Sequence, residues 1–278
     1  MSGTVLRRAV TGSSLSLRYA GALATLAVAA VLVLPAEAGN RLRPVPILMY
    51  HVLSAPPANA PYPELYVAPP DFRAQIAWLA AHGYRAVTLQ RVFDAWRGAA
   101  TLPARPVVLT FDDGYLSDVR TALPALKARH WPGVLNLEVA NLKPVWGIRP
   151  PGVRKLLAAG WELDAHTLTH PDLTKADAAR LREEVTGSRA AIRKMFHVRV
   201  NFFCYPAGRY DQAVIDEVRN AGFKAATTTL FGYARPGDTW TLARVRVNRS
   251  DGVDGVLRNL RTLGANPNAA PTGSNTGE

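Results

Sequence analysis

The chain has 278 residues, is 48% hydrophobic and carries a formal charge of +12 at pH 7. That apolar content supports a globular core and excludes a wholly disordered chain, and the single cysteine, Cys204, excludes an internal disulfide framework. The charge suits anionic surroundings such as wall polymers or acidic glycans, but no basic block is interleaved with aromatics, so no nucleic-acid partner is expected.

In chain order, Arg7, Arg8 and Arg18 precede an uncharged run over residues 20–34, followed by Pro35 and Ala36-Glu37-Ala38. A basic region, a short apolar region and a small-x-small site predict an export signal over residues 1–38, cleaved after Ala38. The alternative is an uncleaved N-terminal anchor, because the run falls only a little short of the ~20 residues a spanning helix needs. Either way a secreted or cell-surface protein is expected, with the membrane reached only through that segment.

Residues 45–50 (VPILMY) read as a first strand, and the Pro- and Ala-rich stretch to about residue 70 as a loop. Asp71 is placed to cap a helix (FRAQIAWLAAHG) whose Phe72, Ile76 and Leu79 share a face and which Gly83 ends. Strand-like pieces at 85–89, 107–111, 133–139, 161–165, 201–205, 224–228 and 242–247 then alternate with helices starting near Gln90, Ser117, Pro151, Lys175, Asp211 and Gly252. This alternation predicts an α/β domain with parallel strands, a closed or nearly closed barrel over residues 39–263, with an open doubly wound sheet as the alternative. The polar tail, residues 264–278, is expected to be disordered.

In a parallel barrel the active face lies at the C-terminal strand ends. Four of those ends carry unusual groups: His51 after VPILMY, Asp112 and Asp113 after VVLTF, His166 and His170 in HTLTH, and the turn YPAG after NFFC. Two histidines four apart, with Asp113 as a third ligand, can hold one divalent ion and leave positions open for water and substrate. Asp112 could then accept a proton without being a ligand. Cys204, in FFCYP, reads as a buried strand residue, since no activating base is local to it.

TFDDGY and HTLTH, in this order, resemble the first two motifs of the polysaccharide deacetylase family, the NodB-homology or carbohydrate esterase 4 group, and the match extends over about residues 44–263. The resemblance implies a distorted (β/α)7-type barrel and metal-dependent hydrolysis of N- or O-acetyl groups on sugars. It makes Asp112 the general base and Asp113, His166 and His170 the ligands of Zn2+ or a similar ion. The family's third motif, Arg-x-Pro-aromatic-Gly, is matched by Cys204-Tyr205-Pro206-Ala207-Gly208, so Pro206 and Gly208 agree while Cys204 replaces the arginine that orients the base. The Ala207 N–H remains the oxyanion donor, and Arg244 or Arg246, on one face of the last strand, are the candidates for the missing arginine.

The family's C-terminal histidine acid is also absent, since no histidine follows His197. His51 takes its place by resemblance to the poly-β-1,6-N-acetylglucosamine deacetylase subgroup, whose first strand supplies the acid. Asp164, two before His166, is a candidate to orient a ligand histidine or pair with a last-strand arginine. Tyr50, Tyr115, Trp146, Tyr205 and Tyr210 are candidates for the sugar groove, and His82, His130 and His197 for helix ends. The expected protein is a monomeric, secreted N-deacetylase of an N-acetylglucosamine polysaccharide. An acetylxylan-type O-deacetylase and an inactive glycan-binding relative are the alternatives.

Overall fold

The computed structural model describes residues 42–273, so the expected signal segment lies outside the described residues. Eight strands form: β1 (Ile47–Tyr50), β2 (Tyr84–Ala86), β3 (Arg105–Asp113), β4 (Val134–Leu137), β5 (Glu162–Ala165), β6 (Phe202–Cys204), β7 (Ala225–Phe231) and β8 (Leu242–Arg246). All their pairings are parallel. The order β1-β8-β7-β6-β5-β4-β3 returns to β1 through Ile47↔Val108 to Tyr50↔Phe111, which closes a seven-stranded barrel. The eighth strand, β2, lies outside the ring on β3.

Strand alternation separates two cores. Outward residues such as Tyr50, Leu109, Phe111, Leu135 and Phe203 pack under α1 (Pro69–Ala81), α3 (Leu123–Lys127), α4 (Arg149–Ala158), α5 (Ala178–Phe196), α6 (Gln212–Asn220) and α7 (Gly252–Ala265). Inward Ile47, Val108, Val134, Phe202, Ala225 and Leu242 meet Leu89 and Val92 of α2 (Leu89–Trp96), which plugs the strand-start end. With that end filled by side chains, the strand-finish end is left for chemistry. Helix α1 begins at Pro69, with Ala68 rather than Asp71 as its cap, because proline suits the first turn and leaves Asp71 inside it. Of the tail read as disordered, residues 264–273 are placed. Helix α7 runs to Ala265, and Thr272 exchanges two main-chain hydrogen bonds with Phe231. No helix among the described residues is long and apolar enough to cross a membrane.

Asp164 is buried and pairs in register with Asn136, which itself pairs with Asp112. Its Oδ1 accepts from the Phe202 N–H at 3.1 Å and its carboxyl meets that of Glu162. Its carboxyl is thus engaged by Phe202 and Glu162 rather than by His166, His170 or the last-strand arginines. Glu162 in turn accepts the Gln90 N–H at the start of α2.

Burial pushes Glu162 up to about 7 and Asp164 well above the usual carboxylate range. Folded-state values above the unfolded ones give a contribution that is complete below about pH 4 and lost as pH rises through neutrality. Unfolding temperature should therefore fall between about pH 5 and pH 9, and Asp164→Asn should remove most of that slope. A variant with the wild-type slope would show that the pair does not cause it.

Candidate active site

Strand β3 is buried from Pro106 onward, so its two terminal carboxylates leave a dry environment on opposite courses. Asp112 points into the barrel mouth. Arg244, from β8, places Nη1 2.9 Å from its Oδ1 and 2.8 Å from its Oδ2, and Asn136 Nδ2 donates to Oδ1 at 2.7 Å. Arg244 is fully buried; it also donates through Nε to the Thr228 carbonyl at 2.7 Å and through Nη1 to Thr110 Oγ1 at 3.2 Å. Of the two arginines expected to meet Asp112, the one seen against it is Arg244. Arg246, two residues on, lies nearer the mouth and lines the cavity.

Cys204 is a buried strand residue, yet it also meets the site. Its Sγ lies 3.6 Å from Asp112 Oδ2 and 3.3 Å from Arg244 Nη2. The small side chain at this position leaves the space that the Arg244 guanidinium fills.

Burial alone would raise the Asp112 carboxyl, but Arg244, with His51, His166 and Asn136, outweighs it and holds the group below the usual carboxylate range. His51 Nε2 lies 3.9 Å from Asp112 Oδ2. Burial lowers the His51 imidazole, opposed by Asp112 and Asp113.

Asp113 turns away from Asp112 through a left-handed backbone, φ 72°, followed by Gly114 at φ 93°, where a Cβ would lie 2.8 Å from Leu137. Its Oδ1 lies 3.3 Å from His166 Nε2 and 3.8 Å from His170 Nε2. Thr167 and His170 are left-handed as well, at φ 68° and 56°. Three such non-glycine residues in one cluster are strain held by its surroundings.

Those surroundings are identifiable. Thr167 Oγ1 accepts the His170 N–H at 2.9 Å. Glu184 of α5, fully buried, accepts the Leu168 N–H at 2.7 Å, the Thr169 N–H at 3.0 Å and the Thr169 hydroxyl at 2.6 Å, and pairs with Arg180. Glu184→Ala should loosen the loop and weaken Zn2+ affinity by about 10–100-fold, read by competition with a chelating dye. Unchanged affinity would remove Glu184 from the site's support.

Asp113 Oδ1 is buried and has no hydrogen-bond partner within the protein, while two imidazole nitrogens converge on it. His166 Nδ1 lies 2.7 Å from the Cys204 carbonyl, so the proton belongs on Nδ1 and the Nε2 lone pair faces Asp113. Two imidazoles and one carboxylate around an orphaned oxygen fit a divalent cation. Asp112, His166 and Cys204 also approach one another, but the buried Arg244 guanidinium touches both Asp112 and Cys204 and disfavours a second cation there.

The turn YPAG completes the mouth. Ala207 is left-handed at φ 50°, and Gly208 is required because a Cβ there would come within 2.0 Å of Thr229 Oγ1. His51, Asp112, Asp113, Pro206 and Ala207 share one cavity of about 540 Å3. Tyr205 also lines it, although its hydroxyl donates to the Trp240 carbonyl at 3.1 Å. Tyr115 and Trp146 pack together at its rim, with ring centroids 5.4 Å apart.

Tyr50 does not reach the cavity. Next to the inward His51, it points outward, stacks on Phe111 and donates to Gln75 Oε1 at 2.9 Å. Tyr210 packs against Tyr205. His82 and His197 end helices α1 and α5. Asn136 and Glu184 were not singled out in the sequence. Asn136 carries a signal, a lone amide in the apolar run VLNL; Glu184, in a charged amphipathic helix, carries none.

A closed parallel barrel with a buried Asp112–Arg244 pair beside a cluster of Asp113, His166 and His170 at its mouth has the layout of a candidate metal-assisted hydrolytic site. Residues 99–226 match the polysaccharide deacetylase family model. YxkH of Bacillus subtilis is 26% identical over 205 residues, covering 73% of this chain and 71% of that protein. The poly-β-1,6-N-acetyl-D-glucosamine N-deacetylase of Escherichia coli K12 is 47% identical over 62 residues, which cover 22% of this chain but only 9% of that protein. The solved structure of IcaB from Ammonifex degensii superposes with a TM-score of 0.66 at 25% identity, covering 78% of this chain and 97% of that one. Over residues 99–226 the chain therefore has the sequence of a polysaccharide deacetylase domain of the NodB-homology, carbohydrate esterase 4 type.

Proposed function

We propose that the protein is an exported, divalent-metal-dependent deacetylase that removes N-acetyl groups from an N-acetylglucosamine polysaccharide. The observation that carries this reading is Asp112 held by Arg244 beside, but outside, the cluster of Asp113, His166 and His170. The name of the E. coli relative supports the polymer, and the sequence of residues 1–38 supports export.

Asp113, His166 and His170 would hold the metal, with Zn2+ suited to the nitrogen-rich set. When bound, it supplies Lewis acidity to the acetyl carbonyl and lowers the pKa of water. Asp112 takes a proton from the attacking water as the new C–O bond forms. The Ala207 N–H, presented by its left-handed turn, donates to the developing oxyanion. As the C–N bond breaks, His51 protonates the leaving nitrogen, and at 3.9 Å from Asp112 it is resupplied, through one bridging water, with the proton taken from the attacking water. Trp146 at 48% and Tyr62 at 63% exposure offer ring faces to pyranose units at the rim.

Acetate release by the purified protein with Zn2+ should be fast on β-1,6-linked N-acetylglucosamine oligomers, with one free amine appearing per acetate, and slow on acetylated xylan. Preference for the xylan would make the enzyme an O-deacetylase. Release from neither, with metal bound, would make it an inactive glycan-binding relative.

A further inference from the structure

Exposed cations gather at the strand-start end of the barrel. Near the cavity, several cations are matched by acids, Arg244 by Asp112, Arg209 and Lys175 by Asp172, and Arg180 by Glu183 and Glu184, while the exposed Lys143 and Arg149 take part in no ion pair among the described residues. At the strand-start end, Arg85, Lys127, Arg193, Lys194, Arg199 and Lys224 are all exposed, and none takes part in an ion pair among the described residues.

Their common end follows from topology. Arg85 lies on β2; Lys127 closes α3, which feeds β4; Arg193 and Lys194 occupy the last turn of α5, which feeds β6; Arg199 and Lys224 directly precede β6 and β7. All these strands run the same way, so their starts share one face. Arg193, Lys194, His197 and Arg199 line a single open cleft there. The dipole of α5 accounts for Arg193 and Lys194, but not for the other four. Unpaired like charges gathered on one face repel one another, and an anionic partner relieves that repulsion.

The chain enters the fold at this same face. Val45 pairs with Ala234 just before β1 starts, and the preceding Leu42 is 60% exposed. Upstream in the sequence lies the uncharged run of residues 20–34, with arginines before it. We propose that the strand-start face is a docking surface for an anionic lipid bilayer. The cavity, at the opposite end of the barrel, then opens away from the lipid. This surface exceeds the expected membrane contact through the N-terminal segment alone, and it shares no residue with the cavity.

The test is sedimentation of the full chain with vesicles of phosphatidylcholine alone and with about one third phosphatidylglycerol. Because the apolar run is present with both, a difference between them reports charge. Wild type should bind the anionic vesicles about tenfold more tightly, and salt should erase the preference. The triple substitution Arg193→Glu, Lys194→Glu, Arg199→Glu should lose the preference while remaining folded by circular dichroism, with a modestly lower unfolding temperature from the reversed charges at the end of α5, and retaining acetate release from a soluble oligomer. Equal binding to both vesicles, an undiminished preference in the triple variant, or a stronger preference for soluble polyglutamate than for anionic vesicles would overturn the proposal. Vesicle binding and acetate release are separate readouts, so either can fail without the other.

Discussion

Asp112→Asn should lower kcat for acetate release by roughly 10²–10⁴-fold, the range in which a positioned general base contributes. Asparagine keeps the shape and can still accept from Asn136 Nδ2, but it cannot take a proton from water. Asp113, His166 and His170 are untouched by the change, so metal content should remain that of wild type while turnover is lost. The substitution also leaves Arg244 buried without its counter-charge, which costs about 3–5 kcal/mol when one partner of such a pair is removed. The assay therefore belongs below the lowered unfolding temperature, with folding checked by circular dichroism. Wild-type kcat in this variant would remove Asp112 from the chemistry.

Arg244→Met should have two separable effects. The first is a loss of about 3–5 kcal/mol of stability, because Asp112 becomes an uncompensated buried charge. The second is a change in pH dependence. In wild type Asp112 is held below the usual carboxylate range, so its favourable contribution is present above about pH 4 and lost only as pH falls through its lower folded value. Without the guanidinium, burial raises the carboxyl, and the acid limb of the kcat/KM profile should move toward neutral pH. A purely structural arginine would lower stability and leave that limb in place. An unmoved limb would therefore assign the base's ionisation to other groups.

The resemblance reached the site further than local residue patterns did. TFDDGY and HTLTH were legible because their chemistry-bearing residues follow directly on apolar runs that had to be strands. The matched family region, residues 99–226, contains both motifs but neither His51 nor Arg244. Those two residues come from β1 and β8, neighbours only because the ring closes. Alternation placed Arg244 and Arg246 on one face and could not choose between them; the fold brings the Arg244 guanidinium onto Thr110 and Asp112. Asp164 is engaged instead by the Phe202 N–H and Glu162, and alternation itself excludes Tyr50 once His51 points inward.

Cys204 shows the limit of a local window. No base stands near it in sequence, yet its neighbours in space come from strands β3 and β8. The strands themselves were legible as eight short apolar runs, but nothing local distinguishes β2, which stays outside the ring. Its exclusion follows from the direct pairing of β1 with β3.

The most direct test of a metal-dependent deacetylase is acetate release from an N-acetylglucosamine oligomer by protein stripped with a chelator and then titrated with Zn2+. Activity should vanish on stripping and return at about one Zn2+ per chain, and His170→Ala should not be restored over the same range. Full activity in the stripped protein, or none with one Zn2+ bound per chain, would overturn the assignment of Asp113, His166 and His170 as the catalytic metal site.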